Sequence, residues 1–265
     1  MAQLEISNRC PQDFIVAIWE EFFVARHRGT SISVNLGWLL QMTGFYVGLR
    51  QNGKLIAGLI MRRCHANEYK RDVAAIGFVW VAVDQRGLGY STLLLEHTIA
   101  LARKEMLHDL LLWTGKPRVY EKMGFISQDN GLIGDVRCER LLRVRSVELH
   151  RECWPNRDDT RGLPAFASAG HVWRSEVASV TTLETAGGPI LAEWEGNDTN
   201  VAEILCACMG RAWRLNALTG DTLPEVLAEN GWNVEITSTR LRMILSLQGG
   251  APEPETYRLR LLDRI

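Results

Sequence analysis

Residues 81–97 read VAVDQRGLGYSTLLLEH: an apolar run, a charged turn holding Gly87 and Gly89, and a leucine-rich run. The pattern predicts a strand ending near Val83 and a helix starting near Tyr90 or Ser91. A helix start leaves its first N–H groups without intrahelical acceptors, and glycines let a ligand approach the backbone closely. Such a turn suits a phosphate. The competing reading is a plain surface connection, so the neighbouring sequence has to decide.

Upstream, Phe14, Ile18, Phe22 and Ala25 recur at helical spacing in PQDFIVAIWEEFFVARH, and SVNLGWLLQMTG reads as a second helical stretch. FYVGLRQ and KLIAGLIMRRC flank Asn52-Gly53, a two-residue hairpin signal, and AAIGFVWVAV supplies a third strand running into the glycine turn. Downstream, Leu95, Ile99, Ala102 and Met106 share one helix face, and HDLLLWTG returns as a strand. The local order is strand, turn, helix, strand.

Two phosphate-binding patterns do not fit. There is no Gly-Lys-Ser/Thr ending for a P-loop, and Thr92 stands where a dinucleotide fold places a third glycine. Asp109, the carboxylate about 20 residues on, precedes its strand, whereas a ribose-binding acid sits at a strand's far end. A nicotinamide cofactor is therefore disfavoured.

A third pattern fits. Val81-Ala82-Val83-Asp84-Gln85-Arg86-Gly87-Leu88-Gly89-Tyr90-Ser91 resembles the pyrophosphate-binding stretch of the GNAT superfamily of acyl-CoA N-acyltransferases, Arg/Gln-x-x-Gly-x-Gly/Ala, with Ser91 in the last small position. One helix and one strand later, Val119-Tyr120-Glu121-Lys122-Met123-Gly124-Phe125 resembles the Tyr-x-Lys-x-Gly-Phe ending of many members. The resemblance covers roughly residues 40 to 130. It implies an α+β fold in which a mixed, splayed β-sheet flanked by helices admits the pantetheine arm of acetyl-CoA or another acyl-CoA. It also implies that Val81, Val83, Arg86, Gly87, Leu88, Gly89, Tyr90 and Ser91 bind that cosubstrate, and that Tyr120 is catalytic through the departing sulfur.

The implied chemistry is direct attack of an amine on a thioester. A lysine-like amine, with pKa near 10.4, is only about 1 part in 2,500 neutral at pH 7, so it needs a base or a desolvating site. The strand 76–83 contains no Asp, Glu or His, and His65, Glu68 and Asp72, which precede it, read more readily as solvated loop residues. Tyr120, with a reference pKa about 1.5 units above a thiol's, would surrender its proton uphill by about 2 kcal/mol, so a hydrogen bond to the thiolate is the safer role. Gly124 and Phe125 read as a helix-ending glycine and a core anchor. His97 reads as a surface residue, and Cys64 as packing.

The 265 residues exceed what one small core needs, and two lobes are expected. Hydrophobic residues make up 46%, and 30 basic residues nearly balance 31 acidic ones, which argues against a nucleic-acid partner. No apolar run approaches the roughly 18 residues of a membrane span and no leader is evident, so the chain is read as cytoplasmic, without a membrane partner. Six scattered cysteines read as free thiols, and Cys206 and Cys208, two apart on a helix, diverge too far to share a metal. No metal is expected.

After residue 130, HRECWPNRDDTRGLPAFASAGH has the turn formers of a linker. GGPILAEWEG, NVAEILCACMGRAWR, LNALTG and LPEVLAENGW then echo the first half: Thr219-Gly220 answers Thr114-Gly115, and Gly231-Trp232 answers Gly124-Phe125. The echo has Glu195-Gly196-Asn197 in place of the pyrophosphate motif and Leu227 in place of the tyrosine. The expected organisation is a catalytic domain over 1–145, a linker over 146–171, and a smaller, degenerate GNAT-like domain over 172–265. Trp194, Trp213 and Trp232 read as core residues. The expected acceptor is a small-molecule amine, a homodimer is compatible with the reading, and a non-catalytic acyl-CoA-binding regulator is the alternative.

Overall fold

The computed structural model describes residues 2–66, 71–138, 148–156, 161–249 and 257–264. Strand β1 (Gln3–Ser7) leads to helix α1 (Gln12–Phe22), which buries Phe14, Ile15 and Ile18, and then to the short helix α2 (Ile32–Leu36). Strand β2 (Gly44–Gln51) turns through Asn52 and Gly53, both at positive φ (51° and 77°), into β3 (Lys54–Ala66). Two left-handed residues in succession are what a tight hairpin between right-twisted strands demands. Strand β4 (Arg71–Val81), helix α3 (Tyr90–Lys104) and strand β5 (Asp109–Trp113) complete the strand, turn, helix, strand unit.

Leu95, Ile99 and Ala102 of α3 are buried as their spacing requires. Met106 is not: the helix stops at Lys104, Met106 takes a left-handed φ of 55° in the turn and is 75% exposed, and Leu107 fills the core instead.

The remaining elements are α4 (Arg118–Glu121), β6 (Ile126–Ser127), β7 (Gly131–Arg137), β8 (His150–Trp154), β9 (Ala167–Arg174), β10 (Ser179–Thr185), β11 (Ile190–Glu195), α5 (Asp198–Cys208), β12 (Ala212–Leu218), α6 (Leu223–Glu229), β13 (Asn233–Ser238) and β14 (Arg242–Ser246). They form two seven-stranded sheets, β1-β2-β3-β4-β5-β14-β6 and β13-β7-β12-β11-β10-β9-β8. Read from β8, the second order repeats the first position by position. Its parallel pair β11–β12, joined through α5, corresponds to β4–β5 joined through α3. This is a mixed α+β fold of two lobes with the same strand order.

The sheets do not follow the chain's halves. β14 enters the first sheet between β5 and β6, and β7 enters the second between β12 and β13. Each lobe thus borrows a central strand from the other. The stretch 146–171, expected to be a linker, supplies β8 and the start of β9 to the second sheet. Leu94, Leu95 and Ile99 of α3 pack one face of the first sheet, with Met243 and Leu245 of β14, while α1 and Trp38 cover the other face. Val201, Ile204 and Leu205 of α5 close a matching core against the second sheet, where Trp213 and Trp232 meet edge to face at 5.6 Å. The segment 257–264 spans both lobes: Tyr257 and Leu259 pack on the first sheet, and Leu262 on the second.

Candidate active site

Two distortions in the first sheet create the site. β4 and β5 pair in parallel over only three positions, Val73 with Asp109, Ala74 with Leu110 and Ala75 with Leu111, and then diverge. On its other side, β4 slips register against β3: Ile60 faces Gly77 but Gly58 faces Trp80, so Phe78 and Val79 together oppose Leu59. Phe78 sits at φ 50°, rare for a bulky residue, and such bulges concentrate beside functional sites.

Beyond the divergence lies a cleft of about 580 Å³. Of the residues expected from sequence, Val81, Arg86, Gly87, Gly89, Tyr90, Ser91 and Tyr120 line it together. Val83 and Leu88 lie outside its lining, with side chains exposed. Gly87 and Gly89 take left-handed φ values of 81° and 83°, and a Cβ built on either meets nothing within 4 Å. Gly89 is the N-cap of α3 and no side chain among the described residues caps the helix; the first intrahelical bond runs from the Leu93 amide to the Gly89 carbonyl. The amides that precede it are left to a ligand or solvent. A phosphate group fits this open, donor-rich turn.

Arg86 is held over the turn. Its Nε donates to the Val81 carbonyl at 3.1 Å, and its guanidinium pairs with Glu21 at 3.0 Å. Glu21, Phe22, Trp80 and Lys116 also line the cleft and carried no sequence motif. Glu21 lies on the outer side of α1, where periodicity reports only that a residue is polar.

Tyr120 lies in α4, whose end is set by Gly124 at φ 87°, with the Phe125 amide donating back to the Tyr120 carbonyl. Its ring meets Phe125 edge-on at 6.1 Å, and its hydroxyl has no hydrogen-bond partner among the described residues. Burial raises its pKa above the usual tyrosine value, so the phenol stays a proton-bearing donor at neutral pH.

The other sequence candidates fall elsewhere. Asp72 stands opposite residue 65 in the β3–β4 ladder at the far end of β4, nine residues of extended chain, or roughly 30 Å, from Val81. Glu68 lies outside the described residues. Cys64 is buried and its thiol is pushed up to about 11, which keeps it protonated. Asp109 is buried and accepts a hydrogen bond from the Tyr257 hydroxyl. Cys206 and Cys208 pack beside the second core. Among the described residues no group of three His, Cys, Asp or Glu side chains is gathered for a metal, and no helix is long and apolar enough to cross a membrane.

No curated protein matches the chain in sequence. Among solved structures, a conserved protein from Enterococcus faecalis V583 superposes with a TM-score of 0.67 over 94% of this chain and 73% of its own, at 12% identity. A GCN5-related N-acetyltransferase from Anabaena variabilis gives 0.65 over 93% and 73%, at 12% identity. A tandem GNAT protein from the clavulanic acid biosynthesis pathway gives 0.55 over 95% of this chain and all of its own, at 11% identity. These likenesses establish the two-lobe fold across nearly the whole chain. Residues 12–125, which hold the splayed sheet, the glycine turn and Tyr120, match the Acetyltransferase (GNAT) family.

Proposed function

We propose that the protein transfers an acetyl group from acetyl-CoA to the primary amine of a small molecule, using one active site in the first lobe. The observation that carries this reading is the open glycine turn at an uncapped helix start in the same cleft as Tyr120. In this reading the amides at the start of α3 and the Arg86 guanidinium hold the pyrophosphate, the acyl arm follows the gap between β4 and β5, and Arg86 exchanges Glu21 for the ligand.

The amine nitrogen attacks the thioester carbonyl carbon, the C–N bond forms as the C–S bond breaks, the nitrogen releases a proton to water as it becomes the amide, and the sulfur leaves with the electron pair as a thiolate. The ammonium proton goes to water before attack, because β4 offers no carboxylate or imidazole over 76–81. Tyr120 stabilises the thiolate by donating a hydrogen bond. Its raised pKa makes outright proton transfer to sulfur more uphill still, which favours that role. The second lobe keeps the framework of a degenerate copy and binds no CoA.

The test is a free-CoA release assay with acetyl-CoA against a panel of amines, amino acids, aminosugars and peptides, paired with thermal melts. CoA should raise the Tm by mass action and NAD should not. Equal stabilisation by both, or by neither at millimolar concentration, overturns the donor assignment. Binding of CoA with no turnover on any amine favours the regulator instead.

A further inference from the structure

A second cavity, of about 320 Å³, lies on the far side of the β4 bulge from the cleft. Consecutive residues divide between the two spaces: Phe22 lines the cleft and Phe23 the cavity, while Val79 and Trp80 line the cleft and Phe78 the cavity. The Phe78 ring stands between, 5.8 Å from Phe22 and 6.3 Å from Phe23. Trp113, at the end of β5 where the strands have parted, forms another wall. The opening between β4 and β5 therefore faces the cleft on one side and this aromatic chamber on the other.

Among the described residues the cavity's side chains are apolar except for Asn35 and two arginines, Arg62 and Arg264, and none is a carboxylate. Asn35 is fully engaged, accepting from the Thr30 and Ser31 amides and donating to the Leu163 carbonyl. The arginines are not. Arg62 on β3 is buried; it donates to the Asp263 main-chain carbonyl and lies 5.1 Å from the Trp38 ring centre. Arg264 lies 5.9 Å from the Trp113 ring centre, and its buried Nε has no hydrogen-bond partner among the described residues. Among the described residues neither guanidinium has a carboxylate within ion-pair distance.

The nearby acids are committed elsewhere. Asp129 accepts from the Gly131, Leu241 and Arg242 amides and the Thr239 hydroxyl, and the Asp263 carboxylate accepts from the Arg260 amide and faces Arg161 at 3.6 Å. Burial pulls both arginines below the usual guanidinium pKa, and the more distant charges of Asp263 and, for Arg264, Asp129 offset only part of that cost. Two guanidiniums in an apolar chamber are a receptor for a planar anion on an apolar body.

We infer that this chamber binds the acceptor, and that the acceptor is an amine that also carries a carboxylate on an apolar body, as a hydrophobic amino acid does: the carboxylate on Arg62 and Arg264, the body against Trp38, Phe78 and Trp113, and the amine toward the opening between β4 and β5. This rests on the acyltransferase reading, and it names the acceptor class which that reading leaves open.

The experiment compares phenylalanine, phenylalaninamide and phenethylamine as acceptors at saturating acetyl-CoA, in the parent protein and in Arg264→Met and Arg62→Lys. Calorimetric binding of N-acetylphenylalanine and of CoA is measured alongside. The expected result is kcat/KM at least tenfold higher for phenylalanine than for either carboxylate-free amine, with that advantage lost in Arg264→Met and reduced in Arg62→Lys while CoA affinity holds.

Equal use of all three amines by the parent overturns the inference but leaves the acyltransferase reading standing. An equal loss on all three amines in Arg264→Met, with N-acetylphenylalanine binding unchanged, also overturns it by making the arginine merely structural. Arginine-dependent binding of N-acetylphenylalanine without CoA binding or turnover supports the carboxylate site and sinks the donor reading instead.

Discussion

At the start of α3, Gly87 and Gly89 are left-handed and a Cβ on either would meet open space; at the start of α5, Gly196 is also left-handed, at φ 107°, but its Cβ would lie 2.8 Å from both the Ala178 Cβ and the Val177 carbonyl. The helix ends differ in the same sense. α3 begins on Gly89 with no side-chain cap, whereas the Asn197 side chain caps α5 by accepting from the Thr199 amide at 2.8 Å. One topology thus carries two helix starts, one open to a ligand and one filled by the chain itself. A parallel strand-helix-strand unit needs a turn at this point in either lobe, but it does not need the turn to be vacant. Vacancy is the trait that folding leaves unexplained, and it is where a phosphate-binding role belongs.

The sharpest way to break this contrast is to place the same side chain in both turns. Gly89→Val forces a branched residue into a left-handed backbone at a cost of roughly 1–2 kcal/mol and intrudes on the ligand's path, so CoA affinity should fall tenfold or more with a small loss of Tm. Gly196→Val should do the reverse: collision with backbone and Ala178 costs about 1–3 kcal/mol of stability, while the folded protein binds CoA as before. Melting curves and titrations on both variants separate the two outcomes, and matched losses of CoA affinity would erase the distinction between the turns.

The tyrosine position offers the next test, because Leu227, which stands where the second lobe's echo would place it, is fully buried. Tyr120→Phe removes a hydrogen bond to a charged sulfur, worth about 1.5–3 kcal/mol, so turnover should drop roughly ten- to a hundredfold with acetyl-CoA affinity changed far less. Leu227→Ala should cost about 2–5 kcal/mol of stability and leave turnover of the folded enzyme intact. Unchanged turnover in Tyr120→Phe returns that residue to the core.

The pH profile sharpens the same point. With water accepting the ammonium proton, kcat/KM for a simple amine should rise about tenfold per unit from about pH 7 to pH 9, as the neutral amine increases. In the proposed role Tyr120 works in its protonated form, which is lost as pH rises through its pKa. Because burial raises that pKa, the fall in rate should come above the ordinary tyrosine range. A plateau from pH 7 upward would reveal a protein base.

The smallest expected effect concerns the first turn alone. Glu21→Gln removes the carboxylate that competes for Arg86 at the protein surface, a charge worth about 0.5–1 kcal/mol, so CoA should bind about two- to fivefold tighter. Weaker binding would make Glu21 a support for Arg86 and not its competitor.

Much of this was legible in local sequence. The Asn52-Gly53 hairpin, the glycine turn and the Gly124-Phe125 helix ending are each written within a few adjacent residues, because backbone conformation at a turn is a local matter. The exchange of β7 and β14 was not, since a central strand reads the same whichever sheet it joins, and its partners lie some hundred residues away. That exchange also means that a fragment starting at Val172 would lack β7, β8 and most of β9, so the second lobe has to be tested within the whole chain. The chamber of Arg62 and Arg264 escaped for the same reason: two arginines 202 positions apart carry no spacing signal. Met106 misled because apolar periodicity continued past the point where the backbone turned.

Calorimetric titration of the intact chain with CoA tests the central claim most directly, on the parent and on Gly89→Val. One CoA per chain, with affinity reduced tenfold or more by that single substitution, is the result expected of one open turn and one filled turn. Two CoA molecules per chain, or one that binds the variant as tightly as the parent, would contradict it.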